Sequence, residues 1–268
     1  MIKSKPSILC FSGHDPSGGA GIQADIETIA SLGCHAISVI TALTAQNTQG
    51  VDSVHPVDAL LLQKTVDNLL SDVTPAVIKI GLIGSSHALD IIIKTIKNLP
   101  EVPVILDPVL ASGSGNTSFD THNLSQRLAQ ELLPLCTLVT PNTPELLTLS
   151  HVLGETSNDI HQSAFVLNTQ GCDYVLATGT HSATEKVHNE LFFNQRLLDV
   201  YSVERLPHQY HGSGCTIASA ISAMLAFRLE PLVACKEAID FTFGSLQSAF
   251  KVGQGQLIPN RLFWSEDE

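Results

Sequence analysis

Short apolar runs alternate with stretches of helical periodicity along almost the whole chain. Six runs are apolar almost without interruption, as expected for strands of a sheet that is covered on both faces: 7–11, 35–43, 76–83, 102–109, 135–140 and 173–178. Helical spacing of apolar residues occupies the intervals 21–32, 57–70, 87–99, 125–133, 160–169, 214–227 and 232–251. This alternation is typical of βαβ units, and it predicts an α/β fold around a mainly parallel sheet.

One segment departs from the alternation. Residues 190–193 and 197–203 are two strand-like runs separated only by Asn194, Gln195 and Arg196, a spacing that predicts an antiparallel hairpin added to the sheet edge. No change of composition marks a linker and no internal repeat is visible. We therefore expect a single domain over residues 1–268, with the acidic end 265–268 as a disordered tail.

The net charge of the chain narrows the classes of molecule that it is expected to bind. The chain has 26 acidic and 14 basic side chains and a formal net charge of −12, which argues against a nucleic-acid or anionic membrane surface. Its apolar runs are far shorter than the roughly 18 residues that a membrane span requires. The six cysteines are widely spaced without a CxxC pair, and the N-terminus does not resemble a signal peptide. We expect reduced thiols, a cytoplasmic location and a small-molecule ligand.

The first strand runs into a glycine-rich turn, 13–21, with the sequence GHDPSGGAG. Glycines at a strand-to-helix turn allow a ligand to approach the backbone in the crevice where open α/β sheets place their sites. A tight connector without a ligand explains the same glycines, and the turn alone does not decide between the two. The turn is neither GxGxxG nor GxxxxGK[ST], which disfavours a dinucleotide fold and a P-loop kinase.

A second turn, HGSGCT at 211–216, opens a helix rich in small residues. The backbone amides of Gly212, Ser213 and Gly214 would converge at the helix start, where the helix dipole favours a phosphate or a developing oxyanion. Cys215 would lie beside this site. A thiol at a helix N-terminus is expected to have a lowered pKa and to accept a proton or hydrogen bond from a substrate hydroxyl. A small buried residue that packs the turn is the alternative role for Cys215.

The segment 11–51, FSGHDPSGGAGIQADIETIASLGCHAISVITALTAQNTQGV, closely resembles the opening of the hydroxymethylpyrimidine and phosphomethylpyrimidine kinases, a family of the ribokinase superfamily. KIGLIG at 79–84, LDPVLASGSG at 106–115, TPNTPE at 140–145, HGSGCT at 211–216 and VGQGQLIP at 252–259 follow in the family's order. The resemblance implies a three-layer αβα, ribokinase-like fold. It also implies transfer of the γ-phosphoryl of ATP to 4-amino-5-hydroxymethyl-2-methylpyrimidine and then to its monophosphate, in thiamine biosynthesis.

The resemblance also implies where the pyrimidine lies. Besides Cys215, it places the ring among Gly13, Asp25, Thr44, Gln46, Leu82 and Val109. An aspartate and a glutamine can satisfy the polar edge of an aminopyrimidine, while aliphatic side chains cover the faces of its ring.

The resemblance assigns Asn142 and Glu145, an N-x-x-E element, to the organisation of Mg²⁺ and the ATP phosphates. Asp107 is expected to reach the same sheet edge from the end of a neighbouring strand. Mg²⁺ prefers oxygen ligands and keeps several waters, so carboxylates together with phosphates form a suitable site. No other metal is expected, since the pair His208 and His211 lies in a loop beside a proline and is expected to be solvated.

Thr178, followed by Gly179, stands where bifunctional members of the family often have a lysine that reaches the ATP phosphates. Loss of a cation beside developing phosphoryl charge lowers the rate, so we expect the monophosphate to be phosphorylated and the alcohol to react weakly. A pyridoxal or pyridoxine kinase, and a catalytically weak pyrimidine-phosphate-binding protein, are the alternatives. The family further implies a homodimer. Segment 112–118 is either a lid or a plain loop.

Overall fold

The structure is a computed structural model, and it describes residues 4–110, 124–179 and 185–265. Its strands, numbered along the chain, are β1 Ser7–His14, β2 His35–Asn47, β3 Gly50–Pro56, β4 Val77–Ile80, β5 Val104–Leu106, β6 Leu138–Val139, β7 Tyr174–Ala177, β8 Lys186–Phe193 and β9 Arg196–Glu204. They form one sheet in the order β3-β2-β1-β4-β5-β6-β7-β8-β9. The six strands from β2 to β7 in this order are parallel, and β3, β8 and β9 are antiparallel to their neighbours. The predicted mainly parallel sheet is confirmed.

The helices cover the two faces of the sheet. They are α1 Gly21–Ser31, α2 Ala59–Leu70, α3 Ser86–Asn98, α4 Leu124–Arg127, α5 Thr143–Val152, α6 Ile160–Gln170, α7 Ser213–Ala226 and α8 Pro231–Gln247. After α4 the chain continues as a π-helical turn, Leu128–Leu132, and a 3-10 turn, Leu133–Leu135. The single helix expected at 125–133 is therefore composite, and it ends beside Pro134, whose nitrogen cannot continue the hydrogen-bond ladder.

Two hydrophobic cores lie on opposite faces of the sheet. In β1, Leu9 and Phe11 join the core beneath α2, α3, α5 and α6, while Ile8 and Cys10 join the core beneath α1, α7 and α8. Successive side chains of a strand point to opposite faces, so a strand that is apolar throughout requires a helical layer on each side. The three-layer αβα architecture is confirmed.

The expected hairpin is also present, at the β9 edge of the sheet. Asn194 and Gln195 both have positive φ angles, of 48° and 57°. Two consecutive residues of this kind form the tight turn whose twist matches that of the flanking strands. Strand β8 begins at Lys186, earlier than the pattern suggests, because its first residues KVHN form no apolar run.

Two elements were not predicted. Strand β3 pairs only with β2 at the other edge of the sheet, and its sequence GVDSVHP has no continuous apolar run. Helix α5 is short and begins beside Pro144, but Asn142 and Glu145 form a reciprocal capping box at its start. That capping box is the sequence signal from which α5 could have been predicted.

The start of α7 has no side-chain cap, and neither do the starts of its neighbours α1 and α8. Side chains of Asp58, Ser85 and Asp159 cap α2, α3 and α6. Helix α7 instead starts after Gly212, which has a φ of 83° and provides no side-chain cap. The first amides of α7 therefore keep no side-chain partner, which leaves them for a ligand.

The carboxyl ends of the parallel strands β1, β4, β5, β6 and β7 lie side by side along one end of the sheet, hereafter the carboxyl edge. Ligands of open α/β sheets bind outside this edge. Leu82, Asp107, Asn142 and Thr178 are predicted site residues that follow the ends of β4, β5, β6 and β7, so these four lie along this edge.

Several other expectations concern the ends and loops. The six cysteines are free. In the described ranges, no helix is both long enough and apolar enough to cross a membrane. Ser265 lies in a 3-10 turn, Phe263–Ser265, so the expected disorder at this residue is wrong. Residues 266–268 and the segment 112–118 lie outside the described residues.

Candidate active site

The turn between β1 and α1 folds around the carboxylate of Asp15. Its Oδ1 accepts hydrogen bonds from the N–H and the hydroxyl of Ser17, and its Oδ2 accepts one from the N–H of Ala20, each at 2.8 Å. Burial raises the pKa of this carboxyl, but the hydrogen bonds from His211 and Ser17 outweigh burial and lower the pKa to about 2. The carboxylate therefore stays charged at neutral pH and fixes the shape of the turn.

The second turn touches the first. His211 Nε2 lies 2.8 Å from Asp15 Oδ2, although the two residues are 196 positions apart. A Cβ on Gly212 would overlap the carbonyl oxygen of Gly19, and a Cβ on Gly19 would overlap the ring of His211. The two glycine-rich turns thus form one region of bare main chain. His211 is half-buried and bound to Asp15, so its expected solvation is wrong.

Asp107 follows β5 and reaches the start of α7. Its Oδ1 lies 3.7 Å from the position that a Cβ on Gly214 would occupy, and a hydrogen bond joins its carboxylate to Cys215. Burial raises the pKa of Asp107, which the nearby Lys79 ammonium partly opposes. Asp107 Oδ2 is buried and has no hydrogen-bond partner among the described residues.

The pKa of the Cys215 thiol differs from the value expected from the sequence. Burial and the nearby Asp107 carboxylate raise the pKa of Cys215 to about 12, whereas its position at a helix start predicted a lowered pKa. Desolvation therefore outweighs the helix dipole. The sulfur is a neutral thiol at physiological pH and acts as a hydrogen-bonding group rather than as a thiolate.

Glu145 is the second acidic group at this edge. The Asn142 N–H donates to Glu145 Oε2 and the Glu145 N–H donates to Asn142 Oδ1, both at 3.0 Å. Burial and the charge of Asp107 raise the pKa of Glu145 to about 8. Two desolvated carboxylates that repel each other, one with an unpartnered oxygen, fit a cation between them. In the described part of the chain, no group of three or more His, Cys, Asp or Glu residues could hold a metal. A bound phosphate would therefore have to complete the coordination.

A small apolar cluster stands apart from the two cores at the carboxyl edge. It contains Ala42, Leu82, Val51, Val54 and Val109.

The residues predicted to bind a ring meet at this cluster. Gly13 packs against Leu82, since a Cβ there would lie 2.7 Å from Leu82 Cδ2. The hydroxyl of Thr44 donates to the His14 carbonyl at 2.8 Å, and Gln46 pairs with Val51 in the β2–β3 ladder. Gly13, Thr44, Gln46, Leu82 and Val109 thus surround one apolar surface.

Asp25 is placed differently. Its carboxylate and the Lys79 ammonium are both 0% exposed and lie 2.8 Å apart. The Ser219 hydroxyl donates to the same oxygen, Asp25 Oδ1, at 2.7 Å. Burial opposes the charge of Lys79, but Asp25 together with Cys215 and Asp107 outweighs burial, and the pKa of Lys79 lies above its usual value. Asp25 therefore joins α1, β4 and α7 inside the protein, while its Oδ2 has no hydrogen-bond partner among the described residues. Its contact with a pyrimidine stays a prediction.

Asn142, Thr178 and Gly179 come together at the ends of β6 and β7. A parallel bridge joins Asn142 to Thr178, and the Thr178 N–H donates to the Pro141 carbonyl at 2.9 Å. Thr178 and Gly179 line a cavity of about 190 Å³ with Thr143, Ile160, Ala177, His188 and Glu190. The site residues predicted for the nucleotide are therefore neighbours in space.

Comparison with known proteins identifies the family. The model of the phosphomethylpyrimidine kinase family matches residues 15–260 of this chain. The chain belongs to this family. A hydroxymethylpyrimidine/phosphomethylpyrimidine kinase of Staphylococcus aureus strain MRSA252 is 31% identical over 96% of this chain and 93% of that protein. The resemblance inferred from the sequence is confirmed.

Solved structures support the same architecture. The phosphomethylpyrimidine kinase of Clostridium difficile 630 is 30% identical with a TM-score of 0.76, over 90% of this chain and 100% of that chain. The ADP complex of Bacillus subtilis pyridoxal kinase is 26% identical with a TM-score of 0.86, over 98% of this chain and 100% of that chain. The ribokinase-like fold is therefore confirmed.

Four residues that organise this member of the phosphomethylpyrimidine kinase family were not predicted: Asp15, Lys79, Ser219 and Arg261. Lys79 had a sequence signal, because a lysine inside a buried strand requires a partner of opposite charge. Asp15 also had one, since Asp-x-Ser is typical of a turn closed by its own side chain. Ser219 and Arg261 lie in ordinary sequence surroundings, and only the folded chain reveals their partners.

The buried pair generates a prediction for stability. Replacement of Lys79 by Met leaves the Asp25 carboxylate buried without a cation, and we expect a loss of about 3–5 kcal/mol in the free energy of unfolding. The double variant Lys79→Met/Asp25→Leu should recover most of this loss, because no buried charge remains. Urea denaturation measures both values. Lys94→Met, on an exposed position of α3, serves as the control and should change stability by less than about 0.5 kcal/mol.

A double variant that unfolds as easily as Lys79→Met would contradict the assigned pairing.

The raised pKa of Cys215 generates a second prediction. Since the thiolate is the reactive form, the rate of alkylation at Cys215 should keep rising with pH through the range from 7 to 10. Peptide mass spectrometry after timed treatment with iodoacetamide measures the rate at this residue. The same peptide in the urea-unfolded chain is the control and should level off above its ordinary pKa. An alkylation rate that levels off below pH 9 in the folded protein would show that burial does not control the pKa of this thiol.

Proposed function

We propose that this chain is an ATP-dependent kinase of the pyrimidine alcohols of thiamine biosynthesis, and that its main substrate is 4-amino-5-hydroxymethyl-2-methylpyrimidine phosphate. The contact between the two glycine-rich turns carries the proposal. It sets the uncapped start of α7 beside the apolar cluster at the carboxyl edge. An anion site next to an apolar surface suits a phosphoryl transfer to an alcohol on a flat ring.

The ring would lie against Leu82 and Val109, with Gly13 giving close access to the backbone. Thr44 and Gln46 are half-buried polar residues at the border of the cluster, where they can meet the polar edge of an aminopyrimidine. The aliphatic surface covers the ring without competing for its hydrogen bonds. This arrangement supports the proposed substrate class.

The transferred phosphoryl group would lie at the start of α7. The amides of Gly212, Ser213 and Gly214 present the positive end of the helix dipole there, and such donors stabilise charge that develops on the phosphoryl oxygens. Phosphoryl transfer requires mainly positioning and electrostatic stabilisation, because little covalent chemistry falls to the protein. The backbone amides at the start of α7 would supply both the positioning and the electrostatic stabilisation.

Cys215 and Asp107 would handle the substrate hydroxyl. The neutral thiol can accept the hydroxyl proton in a hydrogen bond while its own S–H donates to the Asp107 carboxylate. As the substrate oxygen attacks the γ-phosphorus and the bond to ADP breaks, the hydroxyl proton would pass to the sulfur while the thiol proton passes to the Asp107 carboxylate. The pair would thus orient the attacking oxygen.

The donor would be ATP, with Asn142, Thr178 and Gly179 on the side of the nucleotide phosphates. Asp107 and Glu145 would hold Mg²⁺ together with those phosphates. Bound there, the ion would offset the negative charge of the triphosphate and the two carboxylates. The unpartnered Oδ2 of Asp107 and the raised pKa of Glu145 support this assignment.

Thr178 bears on which of the two phosphorylation steps is faster, that of the alcohol or that of its monophosphate. Its neutral hydroxyl lies beside Asn142 where a cation would stabilise the phosphates, so we propose that the monophosphate is the better substrate and the alcohol the weaker one. Pyridoxal kinase activity is a second candidate, because the Bacillus subtilis pyridoxal kinase structure matches nearly the whole chain with a TM-score of 0.86.

Assembly and location complete the proposal. We propose a cytoplasmic homodimer. The edge strand β9 presents Leu197, Leu198 and Val200, each at least 40% exposed, as an apolar surface that a second copy can cover. Six free cysteines suit a reducing compartment.

One panel of assays tests the function. Purified protein with Mg·ATP is given the pyrimidine alcohol, its monophosphate or pyridoxal, and the phosphorylated products are separated by ion-exchange chromatography. We expect the kcat/KM for the monophosphate to exceed that for the alcohol by about tenfold or more, because Thr178 supplies no positive charge.

Equal and efficient turnover of both pyrimidines would refute the preference, and a higher kcat/KM for pyridoxal would establish the second candidate. Binding of the monophosphate without phosphate transfer would show that the chain is a binding protein and not a kinase.

A further inference from the structure

Arg261 is a charged residue at the centre of the fold, only 1% exposed. Its guanidinium donates in three directions. Nε donates to Thr216 Oγ1 at 3.0 Å, one terminal nitrogen donates to Glu27 Oε2 at 3.0 Å, and the other donates to the carbonyl oxygen of Gly19. An arginine fork holds its acceptors in a fixed plane, so these three groups keep a set geometry.

Two of the three acceptors belong to the two glycine-rich turns. Gly19 lies in the first turn. Thr216 lies in α7, and its hydroxyl donates at 2.8 Å to the carbonyl of Gly212 in the second turn. Gly19 and Gly212 are also the residues at which the backbones of the two turns touch. A chain of hydrogen bonds through Arg261 therefore spans the contact on which the site depends.

The third acceptor, Glu27, explains less of why Arg261 is buried. Glu27 is on α1 and 37% of its side chain is exposed, so its carboxylate meets water as well as Arg261. Although the guanidinium is buried, water screens the Glu27 carboxylate and weakens its attraction to Arg261. Burial of a guanidinium costs several kcal/mol unless its hydrogen bonds are satisfied, and here the two turns supply them.

We propose that Arg261 is a positioning residue for phosphoryl transfer, which holds the two turns together so that the amides at the start of α7 face the transferred group. The inference rests on the proposed function. Arg261 is buried beneath the turns and acts through Gly19 and Thr216, not by contact with a substrate. Its position, one residue beyond the match to the family model, gives no hint of this role.

The test compares substitutions that break different arms of the fork. Arg261→Lys keeps the charge but cannot reach all three acceptors, and we expect kcat for pyrimidine monophosphate to fall about tenfold or more, because small displacements of the donors are costly. KM for the pyrimidine should change less, since the apolar cluster is intact. Glu27→Gln removes only the carboxylate arm and is the matched control, with kcat expected to stay within about twofold of wild type.

A double-mutant cycle tests whether Arg261 acts on the second turn through Thr216. Thr216→Val is nearly isosteric and removes the link to the second turn, so it should also lower kcat. Because both substitutions break one chain of hydrogen bonds, their effects in Arg261→Lys/Thr216→Val should be less than additive. Fully additive losses, or an unchanged kcat in Thr216→Val, would overturn the inference even where Arg261→Lys folds poorly.

Hydrogen–deuterium exchange provides a readout that does not depend on activity. Amides in the segment 211–217 should exchange faster in Arg261→Lys than in wild type, and in Glu27→Gln they should not. Wild-type protein that transfers no phosphate refutes the proposed function, while the exchange result still decides the role of Arg261. Active wild type with unchanged kcat and exchange in Arg261→Lys refutes the inference alone.

Discussion

The whole site depends on one close contact of main chain with main chain. The carbonyl of Gly19 lies against the α-carbon of Gly212, where no side chain could fit, and Gly212 adopts a left-handed conformation that glycine allows without strain. This contact brings the first βα turn, near the start of the sequence, against the start of α7. It leaves the first amides of α7 without a side-chain cap and open to a negatively charged group.

Buried charge surrounds this contact and is balanced in pairs. The Asp15 carboxylate is satisfied by the first turn and by His211, and the Oδ1 of Asp25 accepts hydrogen bonds from Lys79 and Ser219. Asp107 and Glu145 are different, since burial raises the pKa of both carboxyls, and the charge of Asp107 raises the pKa of Glu145 further. Two such carboxylates at the carboxyl edge suit the proposed kinase activity, in which Mg²⁺ and the nucleotide phosphates would bind there together.

Much of this could be predicted from the sequence. The apolar runs specified the parallel strands, because a strand covered on both faces has no polar side. The glycine-rich motifs indicated two turns, and the structure brings these turns into contact. The sequence could not reveal edge strand β3, which lacks an apolar run, nor the role of Asp25, which resembles any acidic residue of an early helical turn. It also predicted the wrong direction for the pKa of Cys215, because the helix dipole is visible in a sequence and the depth of burial is not. The assignment of one domain to the whole chain stays a prediction.

Substitution of Gly212 by Ala tests the central claim most directly. A Cβ at this position overlaps the Gly19 carbonyl, so the turns must separate or rotate. Steady-state transfer of phosphate from Mg·ATP to the pyrimidine monophosphate should fall about 100-fold, the scale set by a displacement of roughly 1 Å in a catalytic site. Urea denaturation should show that the variant still folds cooperatively. Turnover within about twofold of wild type, in a folded variant, would contradict the account.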